Sequence, residues 1–423
     1  MGGVSPGTGA QGTKDGPLGV GPIPVLSEPL GSSISDHGSA GLSRCRDRVV
    51  QPAVHRHNTP TISVHRFADC RLIRFAHPQP NDMTASRKSR RRRRQALRNG
   101  LTVRRPDDLL AVIPYLVGFH PEESIVAVFI RSRRVVLAAR IDLPSESAGD
   151  EVAAQIEYLA NRHEASALAL VAYSAASLPA HRLLTRLMDQ LGDHELADVL
   201  YVGHGRWWSL SCAEDCCPLS GTPFDLSSHP VSAAAVFAGL GTRANRQELA
   251  ASVSGPPDTE LPRLQGLAET LLTELDFDDA SSAARLMVSL VDTAVSDPGA
   301  LDERRALLLA LLVTDLRVRD LAWALISPED AEKHVQMWGA VVAKVPPRLA
   351  AAPLGLLGFA AWACGAGALL NCCCERLARV DPDYSLGRLL RDISTQALPP
   401  SLWQQMGGEL QAGLRAELTS LAG

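Results

Sequence analysis

The sequence predicts an α/β domain followed by an all-α helical one, and three observations carry that prediction. Between residues 101 and 225, short runs rich in Val, Ile and Ala alternate with amphipathic runs at helical spacing, the pattern of strands joined by crossover helices. Beyond Gly221 the strand-like runs stop, and Ala- and Leu-rich helical segments follow one another to the end. Up to about Ser43, Gly, Ser and Pro dominate with no helical or strand period, a signature of disorder, and beyond it only 61–75 could form a short strand, with no partner nearby, before a basic run. The expected organisation is a disordered basic tail over 1–100, an α/β domain with a mixed sheet over 101–225, and a helical domain over 226–423.

The elements follow in order. Arg105-Pro106-Asp107-Asp108 opens a short helix, because Pro is tolerated in a first turn and carboxylates suit the positive end of the helix dipole. Gly118-Phe119-His120-Pro121 ends it. The run 124–130 (SIVAVFI) reads as a buried strand, Arg131-Ser132-Arg133-Arg134 as a turn, and 135–141 (VVLAARI) as the returning strand of a hairpin. A helix over 150–162, a strand over 167–173, a helix over 180–191 and a strand from 199 to 202 follow. That alternation predicts a crossover unit with parallel strands buried on both faces. Gly203-His204-Gly205 turns the last strand into a partner over 206–211.

Helices are expected over 231–240, 260–275, 281–295, 302–316, 328–345, 349–364, 366–380, 385–397 and 401–421. Pro and Gly pairs punctuate them. The stretch 353–390 is similar to one tetratricopeptide-type hairpin, with Gly358, Ala361 and Ala368 small enough for two helices to approach closely. The uncharged stretch 349–374 has the length of a membrane span, but its Pro, Gly and Asn residues favour a buried helical hairpin.

Charge narrows the partners. Residues 1–100 hold 16 Lys and Arg against 6 Asp and Glu, which leaves 26 against 40 for the rest of a chain whose net charge is −4. An acidic body is a poor general nucleic-acid binder, so any contact with nucleic acid or an anionic surface falls to Arg90, Arg91, Arg92, Arg93 and Arg94. No aromatic residue interleaves that run, which favours a solvated tail over a single-strand binder. Met83, just before it, is an alternative start position. The opening residues lack the charged and apolar regions of a secretory signal, and nine Cys is an odd number, so reduced thiols in a cytoplasm are expected.

The densest local signal is Gly205-Arg206-Trp207-Trp208-Ser209 followed by Cys212, Cys216 and Cys217, which gathers two of six Trp and three of nine Cys. Adjacent Trp207 and Trp208 point to opposite faces of a strand. Beside Arg206, a surface Trp is suited to stacking a ligand or clamping a partner, and covering apolar sheet edges is the plainer reading. The three Cys leave three readings open: zinc ligands with His204 as a fourth, a redox pair, or packed small residues. One knuckle holding all three is poor zinc spacing. The run Cys372-Cys373-Cys374 lies on a helix, where neighbours diverge by about 100°, and reads as packing. His120, followed by Glu122, Glu123 and Ser124 and joined by Asp142 at the next strand's end, is the candidate for acid–base work. No nucleophile elbow, phosphate loop or HExxH pattern accompanies it.

Four blocks carry a family resemblance: RRPDDLLAVIPYLVGFHPEESIVAVFI (104–130), VVLAARIDLP (135–144), GRWWSLSCAEDCCPLSGTPFD (205–225) and AAPLGLLGFAAWACGAGALLNCCCERLARVDPDYSLGRLL (351–390). Together, over about 102–403, they resemble the actinobacterial family numbered 4192 among domains of unknown function. The resemblance implies an intracellular bacterial protein with an α/β front and a helical back, and it implies no reaction. Members of that family often carry an acidic residue before the Gly-Arg-Trp-Trp motif, where this chain has His204.

Three functions stay in view. A non-catalytic cytoplasmic binding or regulatory protein with a protein partner is the first. An enzyme with a pocket between the His120 turn and the Trp/Cys loop is the second, and it requires His120, Trp208 and Cys212 to surround one cleft. Nucleic-acid attachment through the Arg run is the third.

Overall fold

The computed structural model describes residues 103–212, 217–237, 240–274, 280–403 and 413. The expected tail, with Met83 and the Arg90 to Arg94 run, lies outside them, as do Cys216 and most of the helix expected over 401–421.

Helix α1 (Pro106–Val117) begins as its sequence dictates: the Asp108 carboxylate accepts the backbone N–H groups of Arg104 and Arg105 at 2.9 and 3.1 Å. Gly118, at φ 83°, closes it with the left-handed turn glycine favours. Strands β1 (Ser124–Arg131) and β2 (Arg134–Asp142) form the expected hairpin. Helix α2 (Gly149–Arg162) leads to β3 (Ala167–Tyr173), and α3 (Ser177–Gln190) leads to β4 (Leu196–Gly203). Strand β5 (Arg206–Ser209) returns along β4.

The sheet order is β2-β1-β3-β4-β5, and a sixth strand, β6 (Thr222–Pro223), closes the far edge. Among the strands of the described residues only β3 and β4 pair in parallel, and the sheet is mixed. β6 corrects the expectation that strands end before Gly221. Two residues have no period to read, and this pair is ordered by register with Arg206 and Trp207.

The pleat divides the sheet into two apolar faces. Val126, Val128, Val171, Leu200, Val202 and Trp207 pack under α1, while Ile125, Phe129, Leu168, Leu170, Val199 and Tyr201 pack under α2 and α3. The central strands are buried on both sides, which is why they read as continuous apolar runs.

The helical half follows as α4 (Pro230–Phe237), α5 (Arg246–Ala251), α6 (Leu261–Glu274), α7 (Ala280–Ser296), α8 (Glu303–Leu312), α9 (Leu316–Ala324), α10 (Ala331–Val342), α11 (Ala351–Ala363), α12 (Gly367–Val380) and α13 (Ser385–Thr395). Two helices in that series differ from expectation. The six-residue α5 is too short to show a period. The helix expected over 302–316 ends at Leu312, and a new one starts where Asp315 accepts the N–H of Arg317 at 2.8 Å.

The core of this half is mostly Leu, Ala and Val, with an aromatic cluster within it: Trp323 and Trp403 stack at 5.9 Å, and Phe359 meets both edge-on at 5.2 and 4.8 Å. The stretch 349–374 breaks at Gly365 into α11 and α12, which fold back on each other. A methyl at Gly358 would lie 2.8 Å from Leu390 and 3.2 Å from Cys373, so glycine there permits the close approach of α12 and α13 to α11. Cys372, Cys373 and Cys374 are all buried, and burial pushes each thiol up, Cys374 to about 11, as packed, unreactive sulfurs behave. Among the described residues, no helix is long and apolar enough to cross a membrane.

The two halves are joined by the turn after α1. Phe119 is buried in the helical core, and Phe119 and Arg243 form an isolated parallel bridge. Its bonds run from the His120 N–H to the Arg243 carbonyl at 3.1 Å and from the Arg243 N–H to the Gly118 carbonyl at 3.0 Å. The Arg140 guanidinium lies 5.6 Å from the Phe119 ring centre.

Candidate functional site

Register fixes which candidates can meet. Ser124 pairs with Asp142 on one side and Tyr173 on the other, and Tyr173 pairs with Val202. The His120 turn, Asp142, the loop after β3 and the turn at His204 therefore share one end of the sheet, beyond the carboxyl ends of β3 and β4. That crevice is where open α/β sheets place ligands.

The polar groups there are engaged with one another. The Glu123 carboxylate accepts the Ser174 hydroxyl and the Ala175 N–H, each at 2.8 Å. Ser174 Oγ in turn accepts the Ala176 N–H at 3.0 Å, and the Ser174 carbonyl accepts the Tyr201 hydroxyl at 3.0 Å. His204 Nε2 meets the Ala175 carbonyl at 3.0 Å. Burial, and then the Glu123 charge, push the Tyr201 phenol up, so it stays a donor. Behind it the Tyr201 ring stands 4.6 Å from His181 and 5.1 Å from Trp208. Glu123 and His204 both adopt left-handed backbone, at φ 38° and 52°, a cost that non-glycine residues bear where surrounding contacts impose it.

Glu123→Ala should therefore lower the unfolding free energy by about 1–2 kcal/mol, since it strands the Ser174 hydroxyl and the Ala175 N–H, with Glu123→Gln intermediate. Urea unfolding of the three proteins checks this; equal midpoints would mean the clasp contributes nothing.

His120 itself is half-buried, with its backbone in the joint to Arg243. Asp142 is mostly exposed and ion-paired with Arg140 at 2.5 Å.

The Trp/Cys segment is divided by the same register. Trp207 is buried under α1, and its Nε1 has no hydrogen-bond partner among the described residues. Trp208, on the opposite face, donates Nε1 to the Leu219 carbonyl at 3.0 Å, and Arg206 donates to the Gly221 carbonyl at 2.9 Å. Both bonds hold the returning loop against β5. Gly221, at φ 74°, has a position where a methyl would lie 2.4 Å from the Trp208 ring.

At the other end of β5, buried Asp198 accepts Ser211 Oγ at 2.9 Å and Ser209 Oγ at 3.1 Å. Burial pushes its carboxyl up against the pull of those hydroxyls. Cys212 follows directly, at the end of the sheet opposite His120. It lies beyond the level of Asp198, about 20 Å along β4 from His204 at the strand rise. His204 is therefore no fourth ligand to Cys212. Cys212 and Cys217 are half-buried. The three residues an enzymatic cleft requires, His120, Trp208 and Cys212, do not converge.

One cluster escaped the sequence reading. The Oδ2 of Asp107 and the Oδ1 of Asp108, in the first turn of α1, each lie 3.6 Å from His229 Nε2 just before α4. It is the metal-capable group of His, Cys, Asp and Glu side chains found among the described residues. The two carboxylates read as ordinary helix-start residues, and no local spacing points to a histidine more than a hundred positions away.

Comparison with known proteins adds the family and no activity. No curated protein and no solved structure matches the chain. Residues 106–401 match the family described as a domain of unknown function (DUF4192), a span that takes in the sheet and the helices through α13. The chain belongs to that family of domains of unknown function.

Proposed function

We propose that this chain is a non-catalytic binding or regulatory protein of an actinobacterial cytoplasm, and that its partner is a protein. One observation carries the reading: the groups that converge at the carboxyl end of β3 and β4 are spent on each other. Ser174 both donates and accepts, the Glu123 carboxylate is doubly occupied, and His204 faces a carbonyl. A nucleophile needs an adjacent unoccupied base, and neither is present in that network. The separation of His120 from Cys212 supports the same conclusion.

The partner surface we favour is the end of α4, where the consecutive residues Val236 and Phe237 are 63% and 54% exposed. Affinity capture with the full chain from its native cytoplasm tests this. A V236E/F237E variant with an unchanged circular dichroism spectrum should retain at least tenfold less of the captured protein. Equal capture by both would sink this surface, and a turnover dependent on Ser174 or Glu123 would sink the non-catalytic reading.

A further inference from the structure

We infer that Asp107, Asp108 and His229 form a site for one divalent cation of the zinc class, an inference independent of the function proposed above. The three ligand atoms lie within 4.8 Å of one another. The His229 side chain is 10% exposed, and its buried Nε2 has no hydrogen-bond partner among the described residues although it points between two carboxylates. At 3.6 Å it is too far from either oxygen for a hydrogen bond and at a separation a shared ion can bridge.

One of the three ligands is held in place. Asp108 Oδ2 is occupied by two backbone N–H groups, which turns Oδ1 towards His229. Such support fixes a ligand before the ion arrives. Arg105, 3.1 Å from Asp107 Oδ2 and 68% exposed, is the competing cation and can swing into water.

Geometry selects the ion. Around a tetrahedral centre with bonds of about 2.0–2.1 Å, ligand atoms sit roughly 3.4 Å apart, so each gap between His229 and a carboxylate closes by a few tenths of an ångström. An octahedral ion of the magnesium type needs edges of about 3 Å and prefers oxygen alone. Imidazole with two carboxylates, completed by water, suits zinc.

The histidine also predicts a signature. Nδ1 accepts the Val231 N–H at 3.2 Å, which keeps the ring proton of neutral His229 on Nε2. Ligation through Nε2 requires that proton to move to Nδ1, so the ion exchanges the Val231 hydrogen bond for a metal bond.

Zinc titration of the full chain by equilibrium dialysis tests the site against the cysteine loop. A C212S/C216S/C217S variant should bind one zinc, and a D107N/H229Q variant should bind at that site at least tenfold more weakly. Loss of binding in the cysteine variant with retention in D107N/H229Q, or no binding by the folded wild-type chain, overturns the assignment. Should D107N/H229Q fail to fold, nitrogen-15 labelling of histidine decides on the wild-type chain: zinc should move the His229 proton from Nε2 to Nδ1, and an unchanged tautomer overturns the site.

Discussion

Gly221→Ala is expected to lower the unfolding free energy by about 3 kcal/mol. Two costs add. The residue sits at φ 74°, where a side chain costs about 1 kcal/mol. The new methyl would also lie 2.4, 2.6 and 2.9 Å from three atoms of the Trp208 ring, which is flanked by Tyr201 and fixed by its bond to the Leu219 carbonyl. Overpacking of that kind costs about 1–3 kcal/mol. Urea unfolding should show a lowered midpoint with little change in slope. Trp208→Leu in the Gly221→Ala background should recover part of the loss, because the two positions share one contact. A loss below about 1 kcal/mol would mean that the loop relaxes and that the Trp208 contact does not fix it.

The second large effect is a sensitivity to acid set by His334. This side chain is buried on α10, and desolvation holds its pKa down to about 4, with Asp330 and the Leu325 backbone pulling the other way. Above pH 6.5 both folded and unfolded chains carry it neutral, and its contribution is constant. As pH falls below 6.5, the unfolded chain takes up a proton that the folded chain refuses until about pH 4. Stability therefore declines across that window, by about 3 kcal/mol in all at roughly 1.4 kcal/mol per pH unit, and the decline ends below it. His334→Gln removes the titration. The stability difference between wild type and His334→Gln should shift by that amount between pH 7 and pH 4, in favour of the variant at acid pH. A difference independent of pH would show that His334 does not titrate on unfolding.

The elements were legible wherever the local pattern was long. The β1 and β3 runs are apolar throughout because both faces are covered, and α3 shows its period because only Ala180, Leu183, Leu184 and Leu187 turn inward. What was lost is what register or tertiary contact decides. β6 is a strand by virtue of β5 beside it. The break at Asp315 was in principle readable, since Asp is a good N-cap, but continuous Leu on both sides masked it.

The site was less legible. His120 suggested acid–base chemistry from its neighbours in sequence, yet its backbone serves the joint to Arg243. Glu123 was noticed as one carboxylate of a pair, while its partners Ser174 and Ala175, about fifty residues on, carry no local signal. The opposite facing of Trp207 and Trp208 followed from strand alternation. That Arg206 and Trp208 hold the carbonyls of Gly221 and Leu219 did not.

The Phe119–Arg243 joint bears on how the chain is made. A ribosome releases Phe119 long before Arg243, and at about 5–20 residues per second the interval is on the order of 10 s. The β1–β2 hairpin and the β3–β4 crossover can form during that time, because all their partners have already emerged. Phe119 cannot be buried in the helical core, because that core has not been synthesised. The nascent sheet therefore carries one exposed aromatic ring next to Arg140, and its first lasting cover arrives only with the helices. An early stop between α4 and α5 would leave that ring uncovered permanently, a feature by which a cell's quality control can distinguish the fragment from the finished protein.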